Sequence, residues 1–200
     1  PHREKNGWMA DGYMVQEAGM INFDSRNIYA KWVNDMIDAQ EADGNVPGIV
    51  PTSWHWDSNW AGPMWDAAIF ITPHLLYQYS GDTRVIETIY PAAKRYLEYL
   101  QTREEANGTI NHGLGDWLFY KAQTPVDFMA TCFYYWDNVL MAQMARLTGR
   151  EPEAAPYEAK AEKLKVLINE LFFDPEKVCY SNGTQLSYAL PLYVGLSLIH

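Results

Sequence analysis

At 200 residues, 48% apolar and 20% charged, the chain has the length and composition of one globular domain. Fifteen Lys plus Arg against 25 Asp plus Glu give a formal net charge of −10, a field that repels phosphate backbones and argues against nucleic acid as a partner. No apolar run approaches the roughly 18 residues of a membrane-spanning helix, so no membrane partner is expected.

The periodicity is helical almost throughout and predicts seven helices. A first, broken pattern covers about residues 10–22. Ile28, Trp32, Val33, Met36 and Ile37 then form one helix face that Ser25 can cap and Gly44 can end. A second broken pattern runs over about 63–79. Val85, Ile86, Ile89, Ala93, Tyr96, Leu97 and Leu100 make the next face, with a kink expected at Pro91. Thr124-Pro125 reads as a hydroxyl cap followed by Pro at the first helical position, opening a helix that runs to Gly149. About 152–173 gives a charged outer helix, and 185–199 a last short one. The only strand-like stretch is Val178 to Tyr180.

The connections alternate. Asp24-Ser25, Ser80-Gly81-Asp82 and Gly149-Arg150-Glu151 are tight turns, whereas about 43–62, 107–123 and 174–184 are long and rich in Gly, Asn, Pro and aromatics. Helices joined by short turns run antiparallel, so an up-and-down chain puts every long loop, and residues 1–9, at one end. Helix pairs begin near 10, 63, 125 and 185, a spacing of about 50–60 residues. This is a helical-hairpin array: all-α, about seven helices, and when curved around, the N-terminal portion of an α/α toroid.

That topology locates the unusual tryptophan content. Of eight Trp, Trp8, Trp54, Trp56, Trp60, Trp65 and Trp117 fall at the loop end, and Trp32 and Trp136 sit mid-helix. The same end carries His2, Arg3, Glu4, Asp11, His55, Asp57, Asp66, His112 and Asp116. Indoles interleaved with carboxylates and imidazoles suit a sugar, whose C–H faces stack on indole and whose hydroxyls need acidic or amide partners. The same indoles would also serve simply to plug the mouth of the array. Asp57, Asp66 and Asp116 equally suit loop hydrogen-bond acceptors or helix caps, His55 and His112 suit loop positions, and His74 beside Pro73 suits the core. No His pair has metal spacing, so neither a metal nor another cofactor is expected. Cys132 and Cys179 cannot make a disulfide scaffold and read as buried free thiols.

The densest chemistry lies in Pro1-His2-Arg3-Glu4-Lys5-Asn6-Gly7-Trp8-Met9-Ala10-Asp11. An extended lead-in would place Arg3 and Lys5 on alternate sides, away from Glu4. A glycosidase general acid needs burial and a neighbouring negative charge to stay protonated near neutral pH. Trp8 could supply the apolar wall and Asp11 the charge, or Asp11 could merely cap the helix.

This opening, Pro-His-Arg-Glu-Lys-x-Gly-Trp-x-x-Asp, resembles that of the catalytic domain of α-L-rhamnosidases of glycoside hydrolase family 78. The likeness continues through Trp65-Asp66-Ala67-Ala68, Tyr77-x-x-x-Gly81-Asp82, Gly115-Asp116-Trp117, Thr124-Pro125 and Thr184-Gln185, in order along essentially all 200 residues. The resemblance implies an (α/α)6 barrel that releases terminal α-L-rhamnose with inversion. It implies Glu4 as general acid, Arg3 and Asp11 as sugar-contacting partners, and Trp8, Trp65 and Trp117 as indoles of the pocket, with Trp60 a competitor for the place of Trp65. Asp66 and Asp116 join them as substrate-binding candidates. Ala10 stands where the family often has Gly, and the family's Asp-Cys pair before the Pro falls outside these residues.

Inversion needs a second carboxylate about 6.5–9.5 Å from the first. The resemblance implies that this base is a Glu beyond residue 200. The chain begins at Pro1 and stops at His200 inside an apolar run. It is therefore expected to be a partial barrel over 1–200, cut at both ends, without a second domain and inactive alone, its structural partners being the remaining hairpins. The expected substrate is a plant-type glycoside or polysaccharide with terminal rhamnose. A periplasmic or secreted location is favoured, without a signal segment in these residues. The alternatives are a non-catalytic carbohydrate-binding or scaffold protein on the same toroid, and a toroid hydrolase of different sugar specificity. A polysaccharide lyase is disfavoured by the acidic loop end.

Overall fold

The computed structural model describes residues 5–52 and 59–199. Among these, nine helices and one two-stranded ribbon follow in order: α1 (Met9–Met14), α2 (Gln16–Asn22), α3 (Arg26–Ala39), α4 (Pro63–Asp66), α5 (Ala68–Ser80), α6 (Arg84–Thr102), α7 (Val126–Leu147), α8 (Glu151–Phe172), β1 (Phe173–Asp174), β2 (Cys179–Tyr180) and α9 (Gln185–Tyr193). The seven expected rods are present; two are interrupted, at Val15 between α1 and α2 and at Ala67 between α4 and α5. No helix among the described residues is long and apolar enough to cross a membrane.

The rods form two layers. α1 packs on α5, α5 on α7 and α7 on α9, whereas α3, α6 and α8 lie outside them. Composition explains the sorting, because a helix apolar all round must be covered on every side and an amphipathic one needs cover on one. Ala68 to Pro73 of α5 and Phe128 to Tyr135 of α7 are buried without interruption. α8 buries only Ala154, Ala161, Leu164 and Ile168. Phe128 lies 5.3 Å from Phe172 and 6.0 Å from Tyr180, joining α7, α8 and the ribbon. Lys160 reaches Glu104 at 2.6 Å and Tyr134 donates to the same carboxylate at 2.7 Å, joining the segment after α6 to α7 and α8.

Several local expectations differ from the structure. Thr124 does not cap α7: the helix begins at Val126, and the Thr124 hydroxyl turns back to Asp116. Ser25 precedes α3 but its hydroxyl donates to Met20 Sδ. α3 stops at Ala39, and Gly44, at φ +98°, serves the following turn, where its N–H donates to Glu41. α9 ends at Tyr193 because Gly195 takes φ +76°, letting Leu196 N–H close on the Pro191 carbonyl. Cys132 and Cys179 are buried and unpaired, as expected.

The two edges of the array are apolar and exposed. Met14, Val15, Ile21, Phe23 and Ile28 line the first, and Tyr188, Leu192, Tyr193 and Leu198 the last.

Candidate functional site at the loop end

Contacts between the loops draw one end of the array together. The lead-in pairs with the loop after α3: Met9 N–H donates to Gly48 at 2.9 Å and Val50 N–H to Gly7 at 2.8 Å, with Trp8 bridged to Ile49. Gly7 is required there, since a Cβ would lie 2.4 Å from the Val50 carbonyl oxygen. Trp32, although mid-helix in α3, reaches the same end and donates from Nε1 to that oxygen at 2.7 Å. The next loops meet where Leu114 N–H donates to Ala61 at 3.0 Å.

Trp8 stands at the centre of an indole cluster, 6.0 Å from Trp60 and 6.4 Å from Trp65, edge-on to both. The three are graded in exposure: Trp65 is buried, Trp8 half-buried, and Trp60 is 42% exposed. Asp11, exposed in the first turn of α1, is one helical turn beyond Trp8. Trp8 and Asp11 also border an apolar groove of about 350 Å³ that continues along Gly12, Val15, Ile28 and Trp32.

Asp66 lies differently. It is 2% exposed at the end of α4, where Oδ2 accepts from the Tyr96 hydroxyl at 3.2 Å and Oδ1 has no partner. Burial raises its carboxyl well above the usual range, against the lowering effect of the Tyr96 bond. Asp137, in the middle of α7, is fully buried with both oxygens unpartnered, and burial together with Asp66 raises its carboxyl as well. Tyr13 closes the other side, its hydroxyl donating to the Met64 carbonyl at 2.8 Å.

Asp116 binds the base of its own loop. Its Oδ2 accepts the Thr124 N–H at 3.1 Å and the Thr124 hydroxyl at 3.0 Å. Thr124 Oγ1 in turn lies 2.7 Å from Thr184 Oγ1, which accepts the Ser187 N–H and so caps α9. Trp117, beside it, is 59% exposed. His112 is half-buried with Nδ1 3.5 Å from Arg103 Nη2; burial and that cation lower its pKa. His74 is half-buried in α5, and burial lowers its pKa too.

The structure thus gathers Trp8, Asp11, Trp60 and Trp65, buries Asp66 next to Trp65 in the chain, and engages Asp116 in a neighbouring loop. Arg3 and Glu4, with His2, Trp54, His55, Trp56 and Asp57, lie outside the described residues. Lys5 takes φ +62°, so the lead-in is irregular at that residue, and the expected placement of Arg3 relative to Glu4 lies outside the described residues. Asp137 and Tyr13 escaped the sequence reading, and Tyr96 entered it only as part of an apolar helix face. The signal for the first was a carboxylate following Trp136 within the apolar stretch from Phe128 to Leu140. No group of three or more His, Cys, Asp or Glu able to hold a metal occurs among the described residues.

Inner and outer helices in alternation, with the chemistry-bearing loops at one end, define part of a six-hairpin α/α toroid of the glycosidase type. Residues 1–198 match the model of the bacterial alpha-L-rhamnosidase 6 hairpin glycosidase domain, and the chain belongs to that family. It is 29% identical over 194 residues to an alpha-L-rhamnosidase of Streptomyces avermitilis, covering 96% of this chain and 18% of that protein. It is 26% identical over 196 residues to one from Formosa agariphila, covering 94% and 21%. Among solved structures, the Streptomyces avermitilis alpha-L-rhamnosidase complexed with L-rhamnose superposes with a TM-score of 0.87 at 28% identity, over 97% of this chain and 18% of that one. The alpha-L-rhamnosidase from Dictyoglumus thermophilum gives 0.86 at 29%, over 97% and 22%. The chain therefore spans about a fifth of the length of these relatives.

Proposed function

We propose that the protein carrying this chain is an inverting α-L-rhamnosidase and that these residues supply the general-acid half of its active site. The observation that supports this most is the indole cluster of Trp8, Trp60 and Trp65 beside Asp11, immediately after Glu4 in a chain of the rhamnosidase six-hairpin family. The graded cluster offers an apolar wall at Trp65 and Trp8 and an open stacking face at Trp60. In this reading Glu4 protonates the glycosidic oxygen as the bond to the anomeric carbon lengthens. Asp11 and Arg3 hold the sugar hydroxyls, and the negative charge of Asp11 favours the oxocarbenium-like transition state. Trp117, Asp66 and Asp116 complete the binding end. Water attacks from the opposite face, activated by a carboxylate contributed from outside these 200 residues.

The residues form one partial domain of the barrel, and the exposed apolar edges of α1–α3 and α9 are covered by its remaining hairpins. The isolated 200-residue segment is accordingly inactive. The substrate is a carbohydrate or glycoside ending in α-L-rhamnose. In the full-length protein, Glu4→Gln should lower kcat for an alkyl α-L-rhamnoside, whose poor leaving group needs protonation, by about 10²–10⁴-fold with an unchanged circular dichroism spectrum. Near-normal turnover in that variant would remove Glu4 from the role of acid. An unmodified protein that binds rhamnose but hydrolyses no glycoside would instead be a binding protein on the same toroid.

A further inference from the structure

Trp65 stands beside a break in its helix. The backbone ladder runs from Asp66 N–H to Gly62 and from Ala67 N–H to Pro63, then resumes from Ile71 N–H to Ala67. The Met64 carbonyl falls in the gap, and there the Tyr13 hydroxyl donates to it at 2.8 Å. α4 is a single turn, and one turn has little stability of its own, because ordering its residues costs more than its few bonds return. Its orientation is therefore set from outside. Tyr13 of α1 holds it through Met64, and Tyr96 of α6 holds it from another element by donating to Asp66 at 3.2 Å.

Tyr13 joins two parts of the indole wall. It lies on α1, which starts directly after Trp8 and carries Asp11 in its first turn. Its bond therefore ties the element that places Trp8 and Asp11 to the element that places Trp65. Aromatic pairs tolerate centroid separations of about 4.5–7 Å, so the edge contact of Trp8 with Trp65 at 6.4 Å does not by itself fix where the second indole stands. A hydrogen bond does, because its geometry is directional. The Tyr13 side chain is buried. Burial first, and then the charges of Asp137, Tyr193, Asp11 and Asp66, push its hydroxyl far above the usual phenol range, so it remains a donor at every working pH.

We propose that Tyr13 is a positioning residue of the rhamnosyl pocket: through the Met64 carbonyl it sets Trp65 against Trp8 and Asp11, and with them the shape of the wall that holds the sugar. This rests on the rhamnosidase reading above. The test is a double-variant cycle on the full-length protein, with Tyr13→Phe, Trp65→Phe and the two together. Each is assayed for hydrolysis of methyl α-L-rhamnoside and for L-rhamnose affinity by titration calorimetry. Phe keeps the ring at position 13 and removes only the hydroxyl, so the fold is expected to persist. Tyr13→Phe should raise KM and weaken rhamnose binding in parallel by roughly three- to tenfold, the worth of one hydrogen bond, with kcat changed by less than about twofold. In the Trp65→Phe background the same change should cost less than about twofold, because the indole that Tyr13 places is gone. An undiminished loss there would show Tyr13 acting by another route and would overturn the proposal. So would an unchanged KM in Tyr13→Phe, whether kcat is also unchanged or falls together with the melting temperature, the latter being the mark of a smaller folded fraction alone. If the unmodified protein neither hydrolyses methyl α-L-rhamnoside nor binds L-rhamnose, the functional reading itself falls.

Discussion

Gly7 and Val50 meet backbone to backbone: Val50 N–H donates to the Gly7 carbonyl at 2.8 Å, and Gly7 Cα leaves no room for a side chain, since a Cβ would stand 2.4 Å from the Val50 oxygen. That same oxygen accepts the Trp32 indole N–H. One contact therefore fixes the lead-in, the loop after α3 and the outer helix α3, and with them the position of Trp8.

Gly7→Ala should consequently cost about 1–3 kcal/mol, the range for inserting a methyl into a packed site, because the atom it strikes is backbone and cannot swing aside. Trp8 and Trp32 both move in that variant, so its tryptophan emission should shift while far-ultraviolet circular dichroism is retained. An unchanged emission spectrum and unchanged denaturation midpoint would show that the contact does not constrain Trp8.

The rods were legible because their apolar spacing is long and regular, as in α6, where Ile86, Ile89, Ala93, Tyr96, Leu97 and Leu100 are all buried. Their ends were less so, because caps depend on tertiary partners. Thr124 had the sequence of a cap, yet Asp116 offers its hydroxyl a charged acceptor, and that bond prevails. The site was legible as a set of residue types at one end of an array, which periodicity supplies. The depth of each residue was not: Trp60 and Trp65 lie five residues apart, one exposed and one buried. Asp66 and Asp116 likewise read alike in sequence, although one is buried against Tyr96 and the other ties a loop.

Thr124 holds a three-part junction of Asp116, Thr184 and the start of α9. Thr124→Val keeps the shape and removes the hydroxyl, leaving Asp116 and Thr184 short of a partner. A loss of about 1–3 kcal/mol is expected, the cost of unsatisfied buried polar groups, with faster amide exchange at residues 116–124. Thr124→Ser should restore most of both. An unaffected Thr124→Val beside a destabilised Thr124→Ser would place the stabilisation in the methyl group instead.

Phe128 sits against Phe172 and Tyr180 at zero exposure. Phe128→Ala opens a cavity where α7, α8 and the ribbon converge, and should destabilise by about 3–5 kcal/mol. Denaturant melts of the variant and the unmodified protein check it; a loss under about 1 kcal/mol would mean that the ribbon collapses into the gap.

Asp137 gives the fold a pH dependence of definite sign. Its carboxyl is fully buried with no hydrogen-bond partner, and the groups electrostatically linked to it are Asp66 on α4, Tyr13 on α1, Tyr96 on α6 and Tyr134 on α7. Burial and Asp66 raise its folded-state pKa, so the folded protein keeps this proton at pH values where the unfolded chain, near the ordinary pKa of about 3.9, has lost it. The contribution to stability is complete below that unfolded value and declines as pH rises towards the folded pKa. Asp137→Asn carries no titrating proton and lacks this decline, while Asp66 titrates in both proteins. The stability of the variant relative to the unmodified protein should therefore rise between pH 4 and pH 8, measured by urea denaturation across that interval. A difference that stays constant with pH would mean that Asp137 ionises as readily in the folded chain as in the unfolded one, and that a cation or water reaches it.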